Sequence, residues 1–248
     1  MAIEKRFKIG CCGFPIAKER YFKNFNLVEI QQTFYKIPSK ALLKKWHQAA
    51  PKDFEFTVKC FQGVTHPITS RTWLRAGKIT GKKANYGNLQ PTKEVFAAWQ
   101  DTLEAAKILN SKIILIQLPA SFIDSKTNQA NAEKFFKRAL KNKEIKIAFE
   151  PRGWQAKAIK KFCQKFNLIH CVDPFVAMPE FIGDIAYFRL HGKYINKRII
   201  YNYRYTLAEL KNLKSKLEKI KAKEIYVLFN NLYMWQNAME FKNLFSNF

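Results

Sequence analysis

A closed parallel β/α barrel is the fold class this sequence predicts, and three observations carry it. Eight short apolar runs recur along the 248 residues. Segments of helical period lie between them, the alternation that builds a parallel sheet. The length also matches the roughly 250 residues typical of a single (β/α)8 barrel. An open doubly wound sheet would show the same alternation. No Gly-x-Gly-x-x-Gly or Gly-Lys-Ser/Thr loop accompanies it here, so the barrel is preferred. No linker or repeat divides the chain, so one domain over 1–248 is expected, with long loops after strands three and seven.

The strands are expected at 6–11 (RFKIGC), 27–31 (LVEIQ), 54–60 (FEFTVKC), 112–118 (KIILIQL), 146–150 (KIAFE), 168–173 (LIHCVD), 185–191 (IAYFRLH) and 224–230 (EIYVLFN). A proline, Pro151, is expected to end the fifth. Between them, Ser39 is placed to cap a helix whose Leu42, Leu43 and Trp46 share a face. Thr92 opens a helix with Val95, Trp99 and Leu103 in register. Ala132, Phe135, Phe136 and Leu140 line one side of 128–141, as Ile159, Phe162 and Phe166 do in 155–166. Thr206 and Glu209 form a capping box ahead of Leu207, Leu210, Leu213, Leu217 and Ile220. A last helix carries Ala238, Phe241, Phe245 and Phe248.

The composition excludes several classes. No apolar run reaches the roughly 18 residues of a membrane span, and the N-terminus has no signal-peptide core. Five cysteines, an odd number without a C-x-x-C spacing, suit reduced thiols better than a disulfide framework or a structural zinc. A cytoplasmic protein without a membrane partner is expected. The charge stands out: 44 Lys and Arg against 19 Asp and Glu, a formal +25. Such a field attracts nucleic acid and other polyanions. A chain rich in Lys, Asn, Ile, Phe and Tyr is also what an AT-rich genome encodes, and charge alone leaves both readings open.

In a barrel the chemistry sits at the C-terminal ends of the strands, and alternation groups the side chains that share a face. Strand two offers Leu27, Glu29 and Gln31, strand three Thr57 and Lys59, and strand four Gln117 at its end. Strand five offers Glu150, strand six Asp173, strand seven Tyr187, Arg189 and His191, and strand eight Asn230. Polar ends on consecutive strands predict a ring of functional groups around one opening, and Glu150 and Arg152 belong to it. Three carboxylates (Glu29, Glu150, Asp173) face three cations (Lys59, Arg152, Arg189). This balance fits an anionic ligand held by Arg and Lys, with a carboxylate as acid or base. His66 and His191 keep a divalent metal open as a cofactor, although no His-x-His or His-x-x-x-His spacing supports it. Lys59 is also a candidate for Schiff-base chemistry. His47 and His170 read as surface or packing residues.

Two loops mix cations with aromatics. Residues 61–91 hold Arg71, Arg75, Lys78, Lys82 and Lys83 with Trp73 and Tyr86. Residues 192–205 hold Lys193, Lys197, Arg198 and Arg204 with Tyr194, Tyr201, Tyr203 and Tyr205. That mixture suits phosphate contact with base or sugar stacking, or a packed lid kept soluble by lysines.

With these residues in view, the chain resembles the DUF72 (YecE-like) family of TIM-barrel proteins. The pieces that match run nearly end to end: Gly10-x-x-Gly13-Phe14, VEIQQTFY (28–35), FTVK (56–59) with Thr65-His66, QLPASF (117–122), EPRGW (150–154), VDP (172–174), FRLHG (188–192) and FNN (229–231). The resemblance implies a β/α barrel without fixing a reaction. It implies family-typical residues at Glu29, Thr33, Tyr35, Lys59, His66, Gln117, Glu150, Arg152, Trp154, Asp173, Arg189, His191, Asn230 and Asn231. Cys11-Cys12 and Gln31 depart from the pattern, where Thr-Ser and Asn are expected.

The expected function is an enzyme of general acid/base type acting on an anionic, phosphorylated or nucleic-acid-like ligand. Glu29, Lys59, Glu150, Asp173 and His191 are its expected catalytic groups. Tyr35, His66, Gln117, Arg152, Trp154, Arg189, Asn230 and Asn231 are the expected substrate-binding groups. A non-catalytic nucleic-acid-binding protein and a metal-dependent phosphoester hydrolase are the alternatives.

Overall fold

A computed structural model describes residues 5–77, 79–196 and 198–245. Lys78, Lys197 and Phe248 lie outside the described residues. The strands are β1 (Arg6–Cys12), β2 (Leu27–Ile30), β3 (Glu55–Lys59), β4 (Ile113–Ile123), β5 (Lys146–Gly153), β6 (Ile169–Val172), β7 (Ile185–Leu190), a hairpin of β8 (Lys193–Ile195) and β9 (Arg198–Ile200), and β10 (Glu224–Phe229). Eight of them close in the order β1-β10-β7-β6-β5-β4-β3-β2, with helices α1 (Lys18–Phe22), α2 (Gln32–Tyr35), α3 (Lys40–Ala49), α4 (Gln62–Thr65), α5 (Lys93–Ile108), α6 (Lys126–Ala139), α7 (Ala156–Phe166), α8 (Leu207–Leu217) and α9 (Met234–Asn243) between or after them. Among the described residues no helix is long and apolar enough to cross a membrane.

The chain forms two compact units, one of residues 1–29, 51–55 and 169–248, the other of 30–50 and 56–168. In the first, β1 pairs in parallel with both β10 and β2, and β7 with both β10 and β6. The Tyr21 hydroxyl ties β1 to β2, accepting from Cys11 N and donating to Leu27 O, both at 2.8 Å. In the second, β3 pairs with β4 and β4 with β5. Residues 113–118 of β4 are buried on both faces, as parallel strands covered by helices must be. All five cysteines are free and buried, and burial pushes the thiols of Cys11, Cys60 and Cys163 up to about 12.

The helix starts follow their caps. Ser39, Thr92 and Ser125 each accept a backbone N–H of the first turn of α3, α5 and α6, and Thr206 with Glu209 completes the capping box of α8. Several expectations need correction. Leu42 is exposed, and only Leu43 and Trp46 of that face are buried. Helix α8 stops at Leu217, with Ile220 buried just beyond it. Gln31 leaves the sheet and becomes the N-cap of α2. Pro151 does not end β5: it sits opposite Leu118, and after a register shift Gly153 pairs with Ile123. A Cβ on Gly153 would run into the carbonyl oxygen of Ala120, so only glycine lets the two strands stay this close.

Candidate active site

In the second unit, register stacks the inward positions in layers. Lys59 lies opposite Leu115, and Leu115 opposite Ala148; one layer on, Gln117 lies opposite Glu150. Lys59 is buried, with its ammonium 4.2 Å from the centre of the Phe34 ring, a cation–π position. Thr33, which opens the turn carrying Phe34, sets its hydroxyl 2.9 Å from the carbonyl oxygen of Ile30 and 2.7 Å from that of Lys59. The start of α2 is thereby fixed to the end of β3.

Beyond β3, residues 61–91 fold rather than loop. Gly87, Asn88 and Leu89 donate their N–H groups to Gly63, Thr65 and Val64, so the returning chain clamps α4. Trp73 and Tyr86 are buried edge to face at 5.6 Å, and the indole donates to the carbonyl of His66 (3.2 Å). These two aromatics serve packing and present no open face to a base. The clamp holds His66, whose Nδ1 is 2.8 Å from Thr65 Oγ1 and whose ring meets Phe34 edge-on at 4.9 Å. Burial first, then the charges of Lys59 and Arg152, lower its pKa to about 3. His66 is therefore a neutral imidazole at physiological pH. Gln62, at the start of α4, donates to Tyr35 O (3.2 Å). The half-buried Tyr35 ring lies under the Arg75 guanidinium at 5.2 Å.

At the end of β5, Arg152 Nε donates to Glu150 Oε1 at 2.6 Å; Glu150 is buried and Arg152 partly open. Trp154 packs on Phe122 (6.3 Å, 15°), with Phe149 and Phe162 edge-on at 5.6 and 5.0 Å. The glutamate and arginine of the EPRGW segment thus form an ion pair at the strand end, while its tryptophan belongs to the packing beneath.

In the first unit, the inward face of β7 is polar from Tyr187 onward. Tyr187 donates to Glu29 Oε2 (2.8 Å), and Arg189 reaches Glu29 Oε1 from Nε (3.2 Å) and Nη2 (3.0 Å). Glu29 and Arg189 are both fully buried. Next to them, burial and the Glu29 carboxylate push the Cys12 thiol well up. Arg189 Nη1 is also 3.2 Å from His191 Nε2. A guanidinium has only donors, so Nε2 accepts and the imidazole proton sits on Nδ1, which faces Asp173 Oδ2 at 3.2 Å. Asp173 further accepts from the backbone N–H groups of His191 (2.9 Å) and Phe175 (3.0 Å).

Asn231 donates to Tyr203 O (2.7 Å) and Asn237 Oδ1 (2.9 Å), fastening the segment that follows the hairpin. Asn230 is half-buried, and its backbone N–H donates to Leu190 O (2.7 Å). As expected, His47 is exposed on α3; His170 is buried, its Nδ1 accepting from Glu180 N (2.9 Å).

The structure thus brings Lys59, His66, Gln117, Glu150 and Arg152 to the strand ends of one unit, and Glu29, Asp173, Arg189 and His191 into one network in the other. Sequence reasoning missed Phe34, the platform shared by Lys59 and His66, and the Glu29-holding role of Tyr187. Phe34 lies inside the VEIQQTFY segment and Tyr187 on the inward parity of its strand, so both were visible without a role. Among the described residues no three His, Cys, Asp or Glu side chains gather as metal ligands. His66 faces cations, and both nitrogens of His191 are engaged. This donor set does not fit a divalent metal.

The fold and these strand-end polar groups define a parallel (β/α)8 barrel protein. The chain belongs to the family described as "Protein of unknown function DUF72", whose pattern matches residues 18–247. It is 24% identical over 242 residues to the UPF0759 protein YunF of Bacillus subtilis, covering 86% of this chain and 79% of that protein. A DUF72 family protein of Enterococcus faecalis superposes with a TM-score of 0.70 at 21% identity, over 99% of both chains. One from Thermotoga maritima gives 0.66 at 23% identity, over 97% of this chain and 99% of that one.

Proposed function

We propose that the protein is an enzyme that binds an anionic, phosphate-bearing ligand at the C-terminal ends of β3, β4 and β5 and acts on it by general acid/base chemistry. One observation carries this reading. Burial first, and then the charges of Lys59 and Arg152, keep the His66 imidazole neutral, so two cations act on one uncharged hydrogen-bonding ring. Lys59, buried, and Arg152, partly open, favour an anion there through charge-assisted hydrogen bonds. A neutral imidazole keeps one N–H and one lone pair, and it polarises or steadies a ligand oxygen without adding charge, as in other barrels that use a depressed histidine.

In this reading Lys59 and Arg152 hold the anion. Glu150, oriented by Arg152, takes or returns the proton. Gln117 stands beside Glu150 in register and hydrogen-bonds the ligand's polar groups. Glu29, Asp173, Arg189 and His191 act through position: each is engaged by its neighbours, and together they hold the end of β7 and the loop after β6. No step runs through a metal.

The test is titration with inorganic phosphate followed by a turnover screen on phosphate mono- and diesters. Lys59→Met or Arg152→Met should weaken phosphate binding by about tenfold or more. Glu150→Gln should keep binding and reduce turnover by roughly 10²–10⁴-fold. Phosphate binding unchanged in both cation variants, with unfolding temperatures intact, refutes the site. Binding with no turnover of any ester refutes the catalytic part and leaves an anion-binding protein.

A further inference from the structure

Thirteen large hydrophobic side chains stand exposed among the described residues. Four of them fall in 175–182, three in 195–201 and two in 232–233. These segments follow β6, β7 and β10, and they adjoin. The Phe175 ring stacks on Tyr205 at 4.7 Å and 19°. The Tyr205 hydroxyl grips Gly192 through both N (2.8 Å) and O (2.9 Å) at the root of the hairpin. Leu232 N donates to Tyr201 O (2.9 Å). Exposure runs from 36% at Phe175 to 68% at Leu232, and these contacts join the three segments into one apolar collar.

We propose that this collar is a docking surface for an anionic lipid bilayer. The hairpin supplies the argument. Its register pairs Lys193 with Ile200 and Ile195 with Arg198, and all four are exposed. Cross-strand partners share a face, so that face alternates cation and aliphatic in both directions. At a bilayer the aliphatic tips enter the acyl boundary, while the long stems of Lys and Arg carry their charges back to the headgroup phosphates. A protein partner would have to bury carboxylates beside isoleucines to match the same pattern, at a desolvation cost. A second copy is disfavoured because each carries a formal +25 and presents the same cations. Nucleic acid is disfavoured because six of the nine side chains are aliphatic and offer no ring to a base. The inference is independent of the anion site proposed above.

The experiment is co-sedimentation with vesicles of phosphatidylcholine alone and of phosphatidylcholine containing roughly 30 mol% phosphatidylglycerol. Partition should be seen on the anionic vesicles only. The exposed-site double variant Ile195→Ser/Leu232→Ser should keep its unfolding temperature and lose partition by roughly tenfold or more. No sedimentation with anionic vesicles overturns the proposal. So does equal sedimentation of the double variant, which would mean that net charge alone binds the vesicles. A single-stranded oligonucleotide bound in a way that depends on Ile195 and Leu232, with vesicles not bound, overturns it in favour of nucleic acid.

Discussion

Acid stability should separate His66 from every other titrating group in the chain. The perturbation is His66→Gln, which keeps a hydrogen-bonding side chain beside Thr65 and cannot take up a proton. In the folded chain His66 titrates near 3, against 6.5 for an ordinary histidine. Between those values the unfolded chain binds a proton that the folded one refuses, so stability falls as pH drops from 6.5 toward 3. Each tenfold difference in proton affinity between the two states corresponds to about 1.4 kcal/mol. The loss between pH 7 and pH 4.5 from this residue alone is therefore about 2.5 kcal/mol. Urea unfolding of the wild-type chain and of His66→Gln at both pH values isolates it, because the carboxylates contribute alike to both chains. The variant should lose about 2.5 kcal/mol less than wild type on acidification. Equal losses would show that His66 is not held neutral by its surroundings, and the electrostatic case for an anion site would fall with it. Saturating phosphate should raise the His66 pKa, since a bound anion offsets Lys59 and Arg152.

Other outcomes follow from the same geometry. Arg189→Met leaves Glu29 fully buried without its cation and should cost about 3–5 kcal/mol in urea unfolding. Adding Glu29→Gln should recover part of that loss, whereas a double variant as unstable as the sum of the singles would refute the pairing. Thr206→Ala removes the capping box of α8 and should cost about 1 kcal/mol without touching phosphate binding. Trp154→Ala should destabilise by about 3–5 kcal/mol. If it instead weakened phosphate binding at unchanged stability, the tryptophan would be a ligand contact and not a packing residue.

Much of the barrel was legible because its signals are local. Short apolar runs with polar ends mark strands, and caps such as Ser39, Thr92 and Thr206 mark helix starts, each within a few residues. Positions that depend on distant partners were not legible. Glu29 and Arg189 sit 160 residues apart, and alternation assigns both to an inward face without revealing that they are buried against each other. Pro151 looked like a strand end because prolines break ladders; it is tolerated here where regular pairing with β4 gives way to a register shift. The 61–91 segment read as a basic, aromatic loop. Its aromatics turn inward because Gly87, Asn88 and Leu89 bond back to α4, a long-range closure with no local mark. The layer of Gln117 and Glu150 followed from parity, but the location shared by His66, Lys59 and Arg152 needed the fold.

The sequestered thiols of this chain have a practical corollary. With every thiol shut away from solvent, a bulky thiol-alkylating reagent meets no target in the native molecule and reacts as segments open. Cys11 and Cys12 on β1, Cys60 after β3, Cys163 on α7 and Cys171 on β6 are spread along the polypeptide, so peptide-resolved labelling would map which parts of the cylinder loosen first without any engineered probe.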